Sequence, residues 1–221
     1  MLIAVEGIDG AGKTTLVRGL ARHFEASGRP VLSLRRFMIP EITELWWRLV
    51  DAHEVDQRAT ATLAAADYRL GLTRCIGPAL DERRVVLADK YVYSHLVFFA
   101  LRGVERHGLD ALFARALVPD HVLYLKLPVT LALDRLSAAD GKPDLLEAGL
   151  DYRLGLTIGA AFERYGLGGA PAGLRESHFL EHQARAEELF REVLPRGVTH
   201  VVDGDRTRDE LLAACVERVD G

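Results

Sequence analysis

With 221 residues, 49% of them hydrophobic and 27% charged, the chain is long enough for one α/β domain around a single core, and its balance is that of a globular protein. A formal net charge of -4 and a pI near 6.1 give no global basic field that would argue for nucleic acid as a partner. No apolar run approaches the ~20 residues a membrane-spanning helix needs. Cys75 and Cys215 lie far apart without metal-type spacing, so a reduced, cytoplasmic protein with no disulfide and no leader is expected.

Leu2 to Val5 is a short continuous apolar run, the pattern of a strand buried on both faces of a parallel sheet. After a glycine-rich turn, Lys13 to Ala26 has helical periodicity through Leu16, Leu20 and Phe24, and Ser27-Gly28-Arg29-Pro30 stops it. Val31 to Leu34 reads as a second strand, which completes a βαβ unit. Glu41 to Ala52 is predicted helical, and Arg58 to Asp81 is predicted to form a longer helix bent at Pro78. Val85 to Ala88 is a third strand ending in Asp89, followed by helices over Tyr93 to Arg102 and Leu109 to Leu117. A strand over His121 to Leu125 and a helix from Val129 come next, then a polar, flexible stretch from Ser137 to Pro143. Leu145 to Tyr165 has helical character weakened by glycines, and Gly166 to Gly173 reads as a loop. A helix over Phe179 to Val193, a strand over Val198 to Val202 and a helix over Arg208 to Val219 close the chain. This alternation predicts a three-layer α/β/α sandwich in a single domain, which by itself names no function.

The sharpest motif is Gly7-Ile8-Asp9-Gly10-Ala11-Gly12-Lys13-Thr14, which fits G-x-x-x-x-G-K-[ST] between a predicted strand and a predicted helix. Gly7, Gly10 and Gly12 let the backbone curl so that N–H groups point at phosphate oxygens, and the helix N-terminus adds partial positive charge. Lys13 is expected to reach the β- and γ-phosphates of ATP, and the Thr14 hydroxyl to ligate Mg²⁺. Asp89, at the carboxyl end of a central strand, is a second candidate for Mg²⁺ or for orienting an acceptor. A strand-terminating Asp at 89 and a turn-forming Asp at 9 are the plainer readings of those two positions.

Glu6 through Thr15 resembles the opening of the thymidylate kinases, P-loop enzymes whose loop carries an acidic residue between its glycines. Asp89-Lys90-Tyr91-Val92-Tyr93-Ser94 is similar to that family's Asp-Arg-Tyr-x-x-Ser. Thr62 to Leu101, Pro119-Asp120-His121 and Ala132-Leu133-Asp134-Arg135 have family spacing, so the resemblance spans roughly residues 1 to 165. It implies a P-loop fold with a five-stranded parallel sheet in the order 2-3-1-4-5, a lid over about 136–150, and a homodimer with Phe98 and Phe99 on the candidate face. It also implies transfer of the ATP γ-phosphoryl to a nucleoside monophosphate. Asp9 would then lie near the acceptor, the loop from Gly7 to Thr15, including Ala11, would hold ATP, and Arg135 would serve catalysis.

Departures from the pattern concentrate on the acceptor side. Where the family has a Phe that stacks on thymine and then an Arg, this chain has Ala64 and Tyr68, with Arg69 one step beyond. The arginine of Asp-Arg-Tyr is Lys90, a point charge in place of a planar fork. His95 and Phe98 stand at two downstream contact positions, and Phe37 follows the second strand, as an acceptor-lining residue or as core. Trp46 and Trp47 offer another stacking surface or plain core. Between Arg135 and Leu150 the only cations are Arg135 and Lys142, which leaves Arg153, Arg175 and the Arg35–Arg36 pair as alternatives. The expected acceptor set is Asp9, Phe37, Tyr68, Arg69, Lys90, Tyr91, Ser94, His95 and Phe98, with thymidine monophosphate not the preferred substrate. A kinase of a nucleoside or specialised metabolite, a P-loop switch and an ATP-binding protein without turnover remain as rivals, although no guanine-reading Asn-Lys-x-Asp occurs.

Overall fold

A computed structural model describes residues 1–35, 37–51, 56–140, 143–144, 146–150 and 172–220. Five strands, β1 (Leu2–Gly7), β2 (Val31–Leu34), β3 (Val85–Asp89), β4 (His121–Lys126) and β5 (Thr199–Asp203), form one sheet in the order β2-β3-β1-β4-β5. All neighbouring pairs are parallel, with Leu2 opposite Val86 and Ile3 opposite His121, so the expected strand order holds. Its continuous apolar sequence is matched by burial along the whole of β1, as a strand covered on both faces requires. Parallel strands bring every carboxyl end to one edge of the sheet, where Gly7, Asp89 and Arg35 emerge together.

The helices among the described residues are α1 (Lys13–Ala26), α2 (Pro40–Asp51), α3 (Gln57–Gly71), α4 (Gly77–Asp81), α5 (Val92–Leu101), α6 (Arg106–Phe113), α7 (Val129–Asp140), α8 (Ala172–Val193) and α9 (Arg208–Val219). α1 packs on α9, with the Leu212 side chain lying where a Cβ on Gly19 would come within 3.2 Å. α5 and α8 pack together over the sheet face that carries Glu6 and Tyr124. No helix among the described residues is long and apolar enough to cross a membrane.

Several element boundaries depart from expectation for identifiable reasons. The helix predicted over 58–81 does not simply bend at Pro78. It widens into a π-turn at Leu72–Ile76 and resumes as α4 with Pro78 in its first turn, where the missing N–H is not needed. α6 starts earlier and ends earlier than expected, because the backbone of Leu117 is engaged by two tyrosine hydroxyls. The stretch expected to be flexible from Ser137 is helical to Asp140, and α8 begins seven residues before Phe179. Residues 146–149 form a turn, and Leu145 and residues 151–165 of the helix expected over 145–165 lie outside the described residues; so do residues 166–171 of the loop expected over 166–173, whereas Ala172 and Gly173 are already helical in α8. Cys75 and Cys215 are free thiols; Cys215 is buried, whereas Cys75 is only half-buried.

Asp67, fully buried on α3, anchors α2 from a distance. Its carboxylate accepts the Met38 N–H at 3.0 Å and the Ile39 N–H at 2.8 Å, just ahead of the helix start. It thereby satisfies donors at a helix N-terminus that no local side chain reaches. Asp67→Ala should therefore cost about 1–3 kcal/mol in urea-induced unfolding, the penalty of orphaned buried N–H groups.

Candidate functional site

The P-loop closes tightly enough that two of its glycines are obligatory. Gly10 has φ +82°, and a Cβ there would stand 2.5 Å from the Ala132 carbonyl oxygen; at Gly7 one would stand 2.7 Å from that of Leu125. Gly12 caps α1 in the left-handed region and offers no side chain to its first turn, so those N–H groups stay open to an anion. Lys13 Nζ curls over the loop and donates to the Gly7 and Ile8 carbonyls at 2.8 and 2.6 Å. Burial pushes its pKa down, opposed by the nearby Asp9 carboxylate. Thr14 Oγ1 donates to Asp89 Oδ2 at 2.6 Å, which joins the two residues expected to hold a divalent cation.

Asp9 joins this loop to a second element. Its Oδ1 lies 3.5 Å from Lys13 Nζ and 2.9 Å from Lys90 Nζ, which donates to it. Burial alone would raise the carboxyl's pKa; the Lys90 and Lys13 charges overcome that and hold it well below the usual carboxylate range. Lys90 sits at φ +69°, a left-handed conformation that costs an L-residue roughly 1–2 kcal/mol. Gln183 of α8 completes the junction: its Oε1 accepts the Asp9 N–H at 3.1 Å, and its Nε2 donates to the Glu147 carbonyl at 2.9 Å.

Beside Asp9 lies a cavity of about 200 Å³ between the P-loop, α5, α8 and residues Asp144, Leu146 and Glu147. Its polar lining is formed by Asp9, Lys90, Ser94, Asp144, Glu147, His182 and Gln183, and its apolar lining includes Val97, Phe98, Leu146 and Phe190. Asp144 and Glu147 cap each other, each N–H donating to the other's carboxylate at 2.9 and 2.7 Å. Burial, with Asp144 and Asp9 adding their negative charge, pushes the Glu147 carboxyl up to about 7. A larger groove of about 400 Å³ on the other side of Asp89 carries Arg18, Arg22 and Arg35.

The cavity gathers Asp9, Lys90, Ser94 and Phe98 of the expected acceptor set and leaves out the others. Tyr68 and Tyr91 are not presented to it. Leu117 N donates to Tyr68 Oη at 2.7 Å, Tyr91 Oη donates to the Leu117 carbonyl at 2.9 Å, and the two hydroxyls meet at 2.8 Å. With the Tyr91 proton committed to Leu117, the Tyr68 proton must point at Tyr91, so both hydroxyls are consumed in a structural ring. His95 is stacked between Phe99 and Phe113 at interplanar angles of 12° and 9°, and Phe37 packs edge-on to it and against Trp46. Arg69 is exposed on α3, outside the cavity lining. Arg135 is turned toward the segment after β5, donating to the Gly204 carbonyl at 2.9 Å, with Asp205 3.7 Å away. Arg175 donates to the Pro143 carbonyl at 3.1 Å, and Arg36, Lys142 and Arg153 lie outside the described residues. Phe99 belongs to the chain's own core, so it offers no surface to a second copy, and Phe98 lines the cavity.

Glu6, His182 and Gln183 had no assigned role in the sequence reading. For Gln183 a signal existed: it falls in the row Phe179, Gln183, Ala186, Phe190, a polar residue inside the buried stripe of α8. Glu6 stood inside the motif, yet nothing in the sequence showed that its side chain reaches α5.

A phosphate-binding loop, an adjoining lysine–aspartate pair and a small acceptor-sized cavity at the carboxyl edge of a parallel sheet define a P-loop phosphotransferase. The sequence model of the thymidylate kinase family matches residues 5–148. A "Thymidylate kinase" of Xanthomonas campestris is 34% identical over a 229-residue alignment that covers 97% of this chain and 94% of the relative. "Probable thymidylate kinase" proteins of Pyrococcus horikoshii and Pyrococcus abyssi are 36% and 32% identical, over 61% and 80% of this chain and 68% and 91% of their own lengths. The chain belongs to the thymidylate kinase family and is an ATP-dependent nucleoside monophosphate kinase.

Tyr68→Phe should lower stability by about 1–3 kcal/mol in urea unfolding by orphaning the Leu117 N–H. Its acceptor KM should stay unchanged, and a raised KM would return Tyr68 to the binding site. Glu6 and Glu147 have carboxyls raised from 4.5 to about 7, so the folded state binds their protons more tightly than the unfolded chain. Their stabilising contribution is complete below pH 4.5 and is lost as pH rises through 7, whereas that of Asp9 persists above 3.8. The unfolding midpoint should accordingly fall between pH 5 and 8, and Glu147→Gln should flatten that slope.

Proposed function

We propose that the protein transfers the γ-phosphoryl of ATP to a nucleoside monophosphate or related small acceptor seated over Asp9, Lys90 and Ser94, and that thymidine monophosphate is not its best acceptor. The observation that carries this reading is the Asp9 carboxylate, which faces the P-loop lysine on one side and the cavity lysine on the other. An acceptor oxygen in the cavity attacks the γ-phosphorus, the bond to the β–γ bridging oxygen breaks, and ADP leaves. Lys13 and the open N–H groups of α1 orient the phosphates of ATP, and the glycine cradle, which a Cβ would fill, fits them. Thr14 and Asp89 would hold Mg²⁺, which supplies neutralisation of phosphate charge when bound. Leu146 of the cavity's apolar lining packs on Trp46, which supports the 136–150 segment as a lid that excludes water.

The acceptor preference follows from what fills the neighbouring space. Ala64 is fully buried, and Phe37 makes ring contacts with both His95 and Trp46. One observation favours an acceptor with free hydroxyls, a nucleoside or specialised metabolite: three carboxyl groups, Asp9, Asp144 and Glu147, share the cavity wall with Lys90 and His182. Carboxylates reward hydrogen-bond donors and oppose a second phosphate.

Incubation with MgATP and a panel of nucleoside monophosphates and nucleosides, followed by ADP formation, tests the reading. Turnover should depend on an acceptor other than thymidine monophosphate, and Lys13→Ala should reduce it at least about 100-fold. Fastest turnover with thymidine monophosphate would overturn the preference. ATP consumption that needs no acceptor would point to a switch, and unchanged activity in the lysine variant would sink the P-loop mechanism.

A further inference from the structure

Glu6, the last residue of β1 before the P-loop glycine, is fully buried and its carboxylate does not face the cavity. It reaches across to the next element instead. Oε1 accepts the Tyr91 N–H at 2.9 Å and the Ser94 N–H at 3.3 Å, and Oε2 accepts the Ser94 hydroxyl in a short hydrogen bond. These are the donors at the N-terminus of α5, whose cap residue Tyr91 supplies no side-chain bond of its own. A carboxylate at a helix N-terminus is favoured by the unpaired N–H groups and by the helix dipole. One residue earlier in the strand, the Val5 carbonyl accepts the Lys90 N–H at 3.2 Å. Two successive residues of β1 thus grip two successive backbone amides on either side of the Lys90 α-carbon.

Lys90 is the residue that needs holding. It is one of two described non-glycine residues with a positive φ, a conformation that persists only where its surroundings over-determine it. Its ammonium depends on that backbone to reach Asp9 Oδ1 at 2.9 Å. We infer that Glu6 is a positioning residue of the phosphoryl transfer, whose carboxylate clamps the start of α5 so that Lys90 is presented to Asp9 and to the acceptor. The inference rests on the cavity beside Lys90 being the acceptor seat.

The clamp also responds to protons. Burial pushes the Glu6 carboxyl up to about 7, against the hydrogen bonds from Ser94 and Tyr91 and the charge of Lys13. The titratable groups around it are Lys13 from α1, Tyr93 from α5 and Tyr124 from β4. Protonation replaces an acceptor lone pair with a donor facing other donors, which loosens the grip on α5.

The test compares wild type, Glu6→Gln and Lys90→Met on the acceptor that the wild type turns over fastest. Glu6→Gln should lower kcat/KM for the acceptor roughly 10- to 100-fold, the scale of a misplaced catalytic group, while leaving KM for ATP within about threefold. The ratio of wild-type to variant rates should rise through pH 7, and using one acceptor for both cancels the acceptor's own ionisation. On the unmutated protein, hydrogen-exchange protection of the Tyr91 and Ser94 amides should weaken below pH 7 relative to the later amides of α5. That second measurement needs no variant to fold. A costly Lys90→Met with a harmless Glu6→Gln, or a pH-independent ratio, would overturn the inference. A harmless Lys90→Met would instead overturn the cavity as acceptor seat.

Discussion

The Asp9 carboxylate lies between two ammonium groups, Lys13 Nζ at 3.5 Å and Lys90 Nζ at 2.9 Å, and the arrangement of the catalytic edge follows from that contact. One lysine belongs to the loop that opens α1 and the other to the junction of β3 and α5, so the ion pairs bind two crossover units across the sheet's central strand. In water such pairs contribute little; here the partly enclosed site lets the two lysines together act on Asp9 strongly enough to reverse the effect of burial on its pKa. Gln183 adds α8 to the same point, so the phosphate loop, the cavity wall and Glu147 share one reference atom group.

Around this centre, carboxylates act repeatedly as remote helix caps and strand clasps, with Glu6 and Asp67 buried and Asp120 exposed. Glu6 takes amides of α5, Asp67 takes amides leading into α2, and Asp120 Oδ2 takes the Leu2 N–H at 2.7 Å. Each joins segments separated by tens of residues, which a hydrophobic contact could do with less directional control. Hydrogen bonds to charged groups contribute about 1.5–3 kcal/mol, but burying the charge costs a comparable amount, so the gain lies in fixed geometry more than in net stability.

Much of the fold was legible because parallel strands covered on both faces write continuous apolar runs, and the P-loop is written in glycines whose conformations only glycine tolerates. The strand order followed from the resemblance. Placement was legible next to that loop: Lys13, Thr14, Asp89 and the Asp9–Lys90 pair lie together at the carboxyl edge of the sheet. Placement on the acceptor side was less legible. Tyr68 and Tyr91 look like ligand contacts in sequence, yet their hydroxyls are spent on the backbone of Leu117, 49 and 26 residues further on, and sequence does not display that closure. His95 and Phe37 lie outside the cavity lining for a different reason, since each packs against aromatic neighbours. Gln183 was missed because a single polar residue in a long amphipathic helix reads as an imperfection of the pattern.

The ring formed by Tyr68, Tyr91 and Leu117 has a consequence for how this protein can change over generations. Its donors run in one direction around a closed circuit, so neither tyrosine can be exchanged alone without stranding a donor or acceptor of the others. A guanidinium introduced singly at residue 68 would arrive in a pocket wired for a neutral hydroxyl. A charged side chain there therefore requires coordinated replacements at residues 68 and 91 together with a new path for the Leu117 backbone. The circuit acts as a latch on sequence change, because it resists being opened one residue at a time.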